Sequence, residues 1–180
     1  MILPRIKEFY GIIANYLHAI NDQLKSEQMI FKSTYFMEQA LLGAKKALSN
    51  GEVPVGAVIV NSTGEIIASS YNQNRALFDP TAHAEILAIR KACKKTGNMR
   101  LTDHDIYVTL EPCPMCAQAL SLARIRRVYF ALSDPKGGGI DNGARVLSAN
   151  SCHHKPEVYS GIMEQDVKIM MQEFFKSLRD

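Results

Sequence analysis

DIYVTLEPCPMCAQALSLARIRRVYFALS, residues 105–133, reads as three elements in succession. DIYVTL is rich in β-branched and aromatic residues and predicts a strand. PMCAQALSLARI predicts a helix that starts at or just after Pro112, since proline suits a first helical turn. RVYFALS predicts a second strand. Two strands joined by a helix cannot form a hairpin; they form a parallel crossover.

The same alternation extends in both directions. Upstream, AHAEILAIRKACKKTG (residues 82–97) predicts a helix, with Asp79 as cap, Pro80 at the first position and Gly97 as terminator. Before it, VGAVIVN (55–61) and EIIASSYN (65–72) flank Ser62-Thr63-Gly64 and read as an antiparallel hairpin. TYFMEQALLGAKKALSN (34–50) predicts a helix with Phe36, Ala40, Leu41, Ala44 and Leu48 on its apolar face. Downstream lie a loop (DPKGGGIDNG), a short helical turn (ARVLSAN), an extended segment (EVYSG) and a closing helix from Ile162. The expected fold is α/β: a three-layer α/β/α sandwich around a mixed five-stranded sheet. The leading segment, residues 1–32, stands apart as a helical extension. Its apolar residues Ile6, Phe9, Ile13, Leu17, Ile20 and Leu24 make one face, suited to docking on the domain or on a partner subunit. Residues 33–180 form the main domain.

Composition narrows the class. The 180 residues are 47% hydrophobic and 22% charged, values of an ordinary globular chain. A net charge of +3 neither demands nor excludes nucleic acid. Four cysteines are too few for a disulfide scaffold. No secretory signal and no run of about 18 apolar residues is present, so the expected setting is the reducing cytoplasm, away from membranes.

Chemistry concentrates at His83-Ala84-Glu85 and Pro112-Cys113-Pro114-Met115-Cys116. Cys113 and Cys116 share a helix face at i, i+3. A helix N-terminus favours their thiolates, and two thiolates suit zinc. No second Cys-x-x-Cys exists to close a four-cysteine site, which leaves His83 as the best third ligand. Such a set keeps one coordination position open, the mark of a catalytic metal. Glu85 can border the same cavity and shuttle a proton, which points to metal-assisted hydrolysis.

The motifs His-x-Glu and Pro-Cys-x-x-Cys, with the flanks NGEVPVGAVIV, DPTAHAEILAIR, MRLTDHDIYVTLEPCPMCAQAL and ARIRRVYFALSDPKGG, resemble the bacterial tRNA-specific adenosine deaminases. These belong to the zinc-dependent, cytidine-deaminase-like enzymes. The resemblance spans about Phe36 to Arg179 and implies that fold for the main domain. It implies one Zn²⁺ per subunit on His83, Cys113 and Cys116, with Glu85 as proton shuttle. It implies a homodimer that converts adenosine to inosine at the wobble position of a tRNA anticodon loop. Substrate contacts then fall on Asn72, Ala84, Asp134 and Lys136. RNA contacts fall on Lys176 and Arg179, beside Phe174 and Phe175, in a closing helix with few cations. The segment from Ala123 to Lys155 carries six Lys or Arg against two Asp, which adds Arg124 and Arg126 as candidates for phosphate contact.

Rival readings differ in chemistry. A deaminase of a free base or small nucleoside, of guanine or cytosine type, would show the same zinc set. A non-catalytic zinc module has no need of Glu85. A thiol redox protein would use Cys113 and Cys116 without metal. Cys93, Cys152, His153 and His154 read as ordinary thiols and loop residues. SDPKGGG lacks the ending of a phosphate-binding loop and reads as a flexible segment near the substrate.

Overall fold

The structure is a computed structural model and describes residues 3–179, with side chains from Ile20 to Leu24 and from Phe31 onward. Helix α1 spans Leu3–Ser49. Two units are distinguished, Met1–Tyr35 and Phe36–Asp180. Within the first, Ile6, Phe9, Ile13 and Leu17 of the expected apolar face lie outside the described side chains, and Ile20 and Leu24 are exposed.

The second unit holds the sheet. Its strands are β1 (Gly56–Val60), β2 (Ile66–Tyr71), β3 (Asp105–Leu110), β4 (Arg127–Leu132) and β5 (Glu157–Ser160). Their order is β2-β1-β3-β4-β5. Strand β1 runs antiparallel to both neighbours, whereas β3, β4 and β5 are mutually parallel. The hairpin therefore inserts β1 between β2 and β3, and helix α2 (Ala84–Thr96) must cross over β1 to join two strands of the same direction. Helix α3 (Pro114–Leu122) joins β3 to β4, and α4 (Glu164–Ser177) closes the chain.

Alternation along the strands sorts the core into two faces. Ala57 and Ile59 of β1, Ile106 and Val108 of β3, and Val128 and Phe130 of β4 meet α2 and α3. Val58, Val60, Tyr107, Tyr129 and Ala131 point the other way. They meet Met37, Ala40 and Ala44 of α1 and Val167, Met170 and Met171 of α4. Three layers result. Across the in-register parallel strands, Tyr107, Tyr129 and Tyr159 stack with centroids 4.4 and 4.9 Å apart.

Some expected boundaries move. Helix α2 starts at Ala84, not at Pro80. Asp79 does cap, but it caps a turn: its Oδ1 accepts both the N–H and the hydroxyl of Thr81, each at 2.7 Å. Helix α3 starts at Pro114, with Cys113 as its N-cap. Leu48 of α1 is exposed and Ala47 is buried in its stead. Gly97 ends α2 as expected, in a left-handed conformation at φ 66°.

Helix α1 lies against the backbone of β1 because Gly56 has no side chain. A Cβ there would stand 2.0 Å from the Ala40 carbonyl oxygen and 2.5 Å from the Ala44 nitrogen. Gly56→Ala is expected to destabilise the domain by about 3 kcal/mol, since neither neighbour is a flexible side chain. Denaturant midpoints test this, and a wild-type midpoint would refute the close approach.

Candidate metal centre and active-site cavity

The residues singled out by sequence follow the carboxyl ends of three strands. Asn72 follows β2, Cys113 lies three residues past β3, and Asp134 follows β4. Crevices at the carboxyl ends of parallel strands are the usual ligand sites of open α/β sheets.

His83 is the N-cap of α2 and Cys113 the N-cap of α3, with Cys116 in the first turn of α3. Both helices therefore aim their unpaired N–H groups and positive dipole ends at one point. The ligand atoms of His83, Cys113 and Cys116 lie within 4.8 Å of one another. His83 Nδ1 is 3.7 Å from the Cys113 sulfur and 3.6 Å from that of Cys116. Bond lengths of about 2.0 Å to nitrogen and 2.3 Å to sulfur at tetrahedral angles would separate such atoms by about 3.5 Å. The donor set thus fits zinc. Cys116 is fully buried and donates to Cys113, which holds the Cys113 thiol down to about 4 and pushes that of Cys116 up. The Cys113 sulfur in turn raises the His83 imidazole. A dication at this point replaces the protons that the three groups share.

Glu85 sits one helical step inside α2 and is 3% exposed. Burial raises its carboxyl above the ordinary carboxylate range. Its Oε2 is buried with no hydrogen-bond partner. An orphaned carboxylate oxygen beside a metal-ligating trio is a group waiting for a donor.

A cavity of about 380 Å³ opens onto His83, Glu85 and Cys113. Asn72 and Asp134 border it. Asn72 is buried, and its Oδ1 accepts the Ala84 N–H at 2.8 Å, so its Nδ2 is the atom left to donate. Ala84 itself is fully buried in the helix-side core and is not among the cavity-lining residues; its N–H belongs to Asn72. Lys136 borders a second groove with Lys168, Phe175 and Arg179. Lys176 is exposed in the last turn of α4.

The remaining cations lie elsewhere. Arg124 borders a separate pocket with Arg100 and His153, and donates to the His153 carbonyl. Arg126 is committed to Asp105 through two bonds of 2.8 Å. Its Nε and Nη2 face Asp105 inside the fold, which makes it first of all a partner of that carboxylate. His154 binds the Ile125 carbonyl and Cys152 is buried, so neither stands free as a ligand.

Two further residues were invisible to sequence reasoning. Glu111 is 2% exposed and accepts backbone N–H groups of Asp134, Ile140, Asp141 and Asn142, plus the Asn142 side chain. The loop that sequence reads as flexible is therefore knotted to the root of α3. Gly138 permits this, for a Cβ there would stand 2.5 Å from the Glu111 carboxyl. Glu52, also 2% exposed, gathers the N–H groups of Arg75 and Ala76 on the opposite lip. The only signal for either was an acid adjoining a strand or a glycine-rich loop.

Residues 31–132 match the cytidine and deoxycytidylate deaminase zinc-binding region. The chain is similar to the tRNA-specific adenosine deaminase of Agrobacterium fabrum, 51% identical over 146 residues that cover 81% of this chain and 95% of that protein. It is similar to that of Bacillus subtilis, 45% identical over 144 residues, covering 80% and 89%. A solved structure from a study of A-to-I editing by tRNA:A34 deaminases at the wobble position aligns at TM-score 0.75 and 52% identity, covering 76% of this chain and 99% of that one. A guanine deaminase of Bacillus subtilis aligns at TM-score 0.53 and 44% identity, over 55% of this chain and 63% of its own.

Cys116→Ser is expected to lose zinc and thermal stability together; elemental analysis showing one zinc per variant chain would break the ligand set. Glu111→Gln is expected to lower the melting temperature by roughly 5–10 °C at pH 7 through lost charge-assisted bonds. Burial pushes the Glu111 carboxyl up, but its N–H donors outweigh burial and hold it below its ordinary 4.5. The stabilisation is thus in full force above about pH 4.5 and is lost as pH falls through the lower folded value. The gap between wild type and variant should therefore close in acid, and a gap independent of pH would contradict the assignment.

Proposed function

The chain belongs to the family of zinc-binding cytidine and deoxycytidylate deaminases, and from that membership we propose that it hydrolyses adenosine to inosine at the wobble position of a tRNA anticodon. The observation that carries the chemistry is the buried Glu85 carboxyl, whose Oε2 has no hydrogen-bond partner, beside His83, Cys113 and Cys116. The substrate follows the curated relatives, which are named tRNA-specific adenosine deaminases.

His83, Cys113 and Cys116 would hold zinc, which would supply the Lewis acidity that lets water act as nucleophile at neutral pH. Glu85 takes the proton that this water gives up as its oxygen bonds to C6 of adenine. It passes that proton to N1, then takes the remaining hydroxyl proton of the same oxygen and delivers it to the amine as the C6–N bond breaks, so that adenosine and water become inosine and ammonia. Burial suits it to this traffic, because a raised pKa lets the carboxyl hold a proton between the two transfers. Asn72, fixed by the Ala84 N–H, presents its amide to the nucleoside. Asp134 stands at the mouth, its own Oδ1 fixed by the N–H groups of Lys136 and Gly137. An unpaired anticodon base can swing into such a cavity without breaking a helix. Lys136, Lys168 and Arg179 along the neighbouring groove suit the phosphates on either side. No described helix is long and apolar enough to cross a membrane. The reading extends to a homodimer working in the cytoplasm; sedimentation at the mass of one chain would remove the dimer.

The decisive assay offers zinc-loaded protein an anticodon stem-loop with adenosine at the wobble position, beside free adenosine, cytidine and guanine. Inosine is expected in the stem-loop alone; ammonia from a small base or nucleoside alone would replace the substrate. Glu85→Ala is expected to keep one zinc and lose at least 10³-fold in kcat, in line with the loss of a general acid–base. Retained turnover would end the shuttle assignment.

A further inference from the structure

Phe78 is 96% exposed, the most exposed large apolar residue described. Its backbone is left-handed, at φ +50°, a region that bulky residues avoid. Three other described non-glycine residues share a positive φ: Arg124, Arg145 and Met163. Each of those side chains has a partner in the fold. Arg124 donates to the His153 carbonyl, Arg145 donates to the Asp141 carbonyl, and Met163 packs on the sheet core. The Phe78 ring has none among the described residues. An outlier held in place without a structural reward points to function.

The loop that carries it is fixed. The N–H groups of Leu77, Phe78 and Asp79 donate to the carbonyls of Gln73, Arg75 and Asn74. Asn74 Nδ2 donates to the carbonyls of Asp79 and Pro80. Buried Glu52 holds the N–H groups of Arg75 and Ala76. The same loop borders the cavity through Asn72, Asn74 and Arg75 and runs on to His83. An aromatic ring is thus presented to solvent, on a fixed backbone, three residues along the chain from Arg75 of the cavity lining.

We propose that Phe78 is a stacking platform for the unpaired nucleobase that adjoins the deaminated adenosine, and so selects an RNA loop over a free nucleoside. The proposal rests on the tRNA reading above. Bases of single-stranded loops are recognised by stacking on aromatic side chains, and any base offers a π-face. A ring whose backbone is already fixed loses little freedom on binding. Exposed Arg75 in the cavity lining offers a cation to the phosphate that links the two nucleotides. A free nucleoside has no neighbouring base and gains nothing from the platform.

The test uses the full zinc-loaded chain and compares Phe78→Ala, Phe78→Trp and Phe78→Leu on the anticodon stem-loop. Phe78→Ala is expected to raise KM about tenfold with kcat within about twofold, the range for losing one stacked base. Phe78→Trp should restore KM, and Phe78→Leu, apolar but without a π-face, should not. In a parallel arm, 2-aminopurine replaces the base beside the wobble adenosine. Its fluorescence should be quenched on binding wild type and not on binding Phe78→Ala. An unchanged KM, full rescue by leucine, or equal quenching would overturn the proposal. So would a fall in sedimenting mass on Phe78→Ala, which would make the ring a contact between protein chains. Wild-type inertness toward the stem-loop would fell the substrate reading itself, while the fluorescence arm still reports stacking.

Discussion

Everything at the site depends on two helix N-termini reaching the same few ångströms. That requires α2 and α3 to lie close to the sheet and to each other, and alanine is what allows it. Ala84, Ala88 and Ala92 of α2 and Ala117 of α3 are all fully buried against the strands. Larger side chains there would lift either helix, and close-packed interiors have no slack to absorb the shift. A displacement of one ångström at His83 or Cys113 would spoil a donor set whose spacings match zinc to within a few tenths of an ångström. The metal geometry is therefore a consequence of small side chains several residues away.

Three buried glutamates surround the cavity, and their partners divide their roles. Both oxygens of Glu111 and Oε1 of Glu52 are filled by backbone N–H groups, and each residue ties down one lip. Glu85 is as deeply buried, yet keeps an oxygen without a donor. Burying an unsatisfied carboxylate costs free energy, so its retention needs a reason outside the folded chain. Satisfied carboxylates position; the unsatisfied one is free to do chemistry. Residue type and burial alone would not separate the three.

The elements were legible because their periods are local. Strand β3 and the hairpin strands follow alternation and β-branched composition, and Gly97 stops α2 where a left-handed residue is needed. The metal trio was legible because its spacings are short within each motif and both motifs open helices. Helix starts were less so: Asp79 satisfies local rules for a cap and serves a turn around Thr81 instead. The lip clamps were hidden for a stronger reason. Glu111 meets Asn142 across 31 residues and Glu52 meets Arg75 across 23, and no periodicity connects such pairs.

Arg126 shows the same limit in the electrostatics. As sequence it is one more cation in a basic segment; in the fold its partner Asp105 lies 21 residues earlier, at the start of the neighbouring strand. Counting charges measures the supply of cations and not their availability. Lys136 on the knotted loop, Lys168 of α4 and Arg179 just beyond it line one groove. Specificity on this fold then resides at the rim. A zinc set with a proton-carrying carboxylate suits the exocyclic amine of more than one base. What reaches it is decided by the two pinned lips, by the cations beside them and by an aromatic ring that the fold keeps in water.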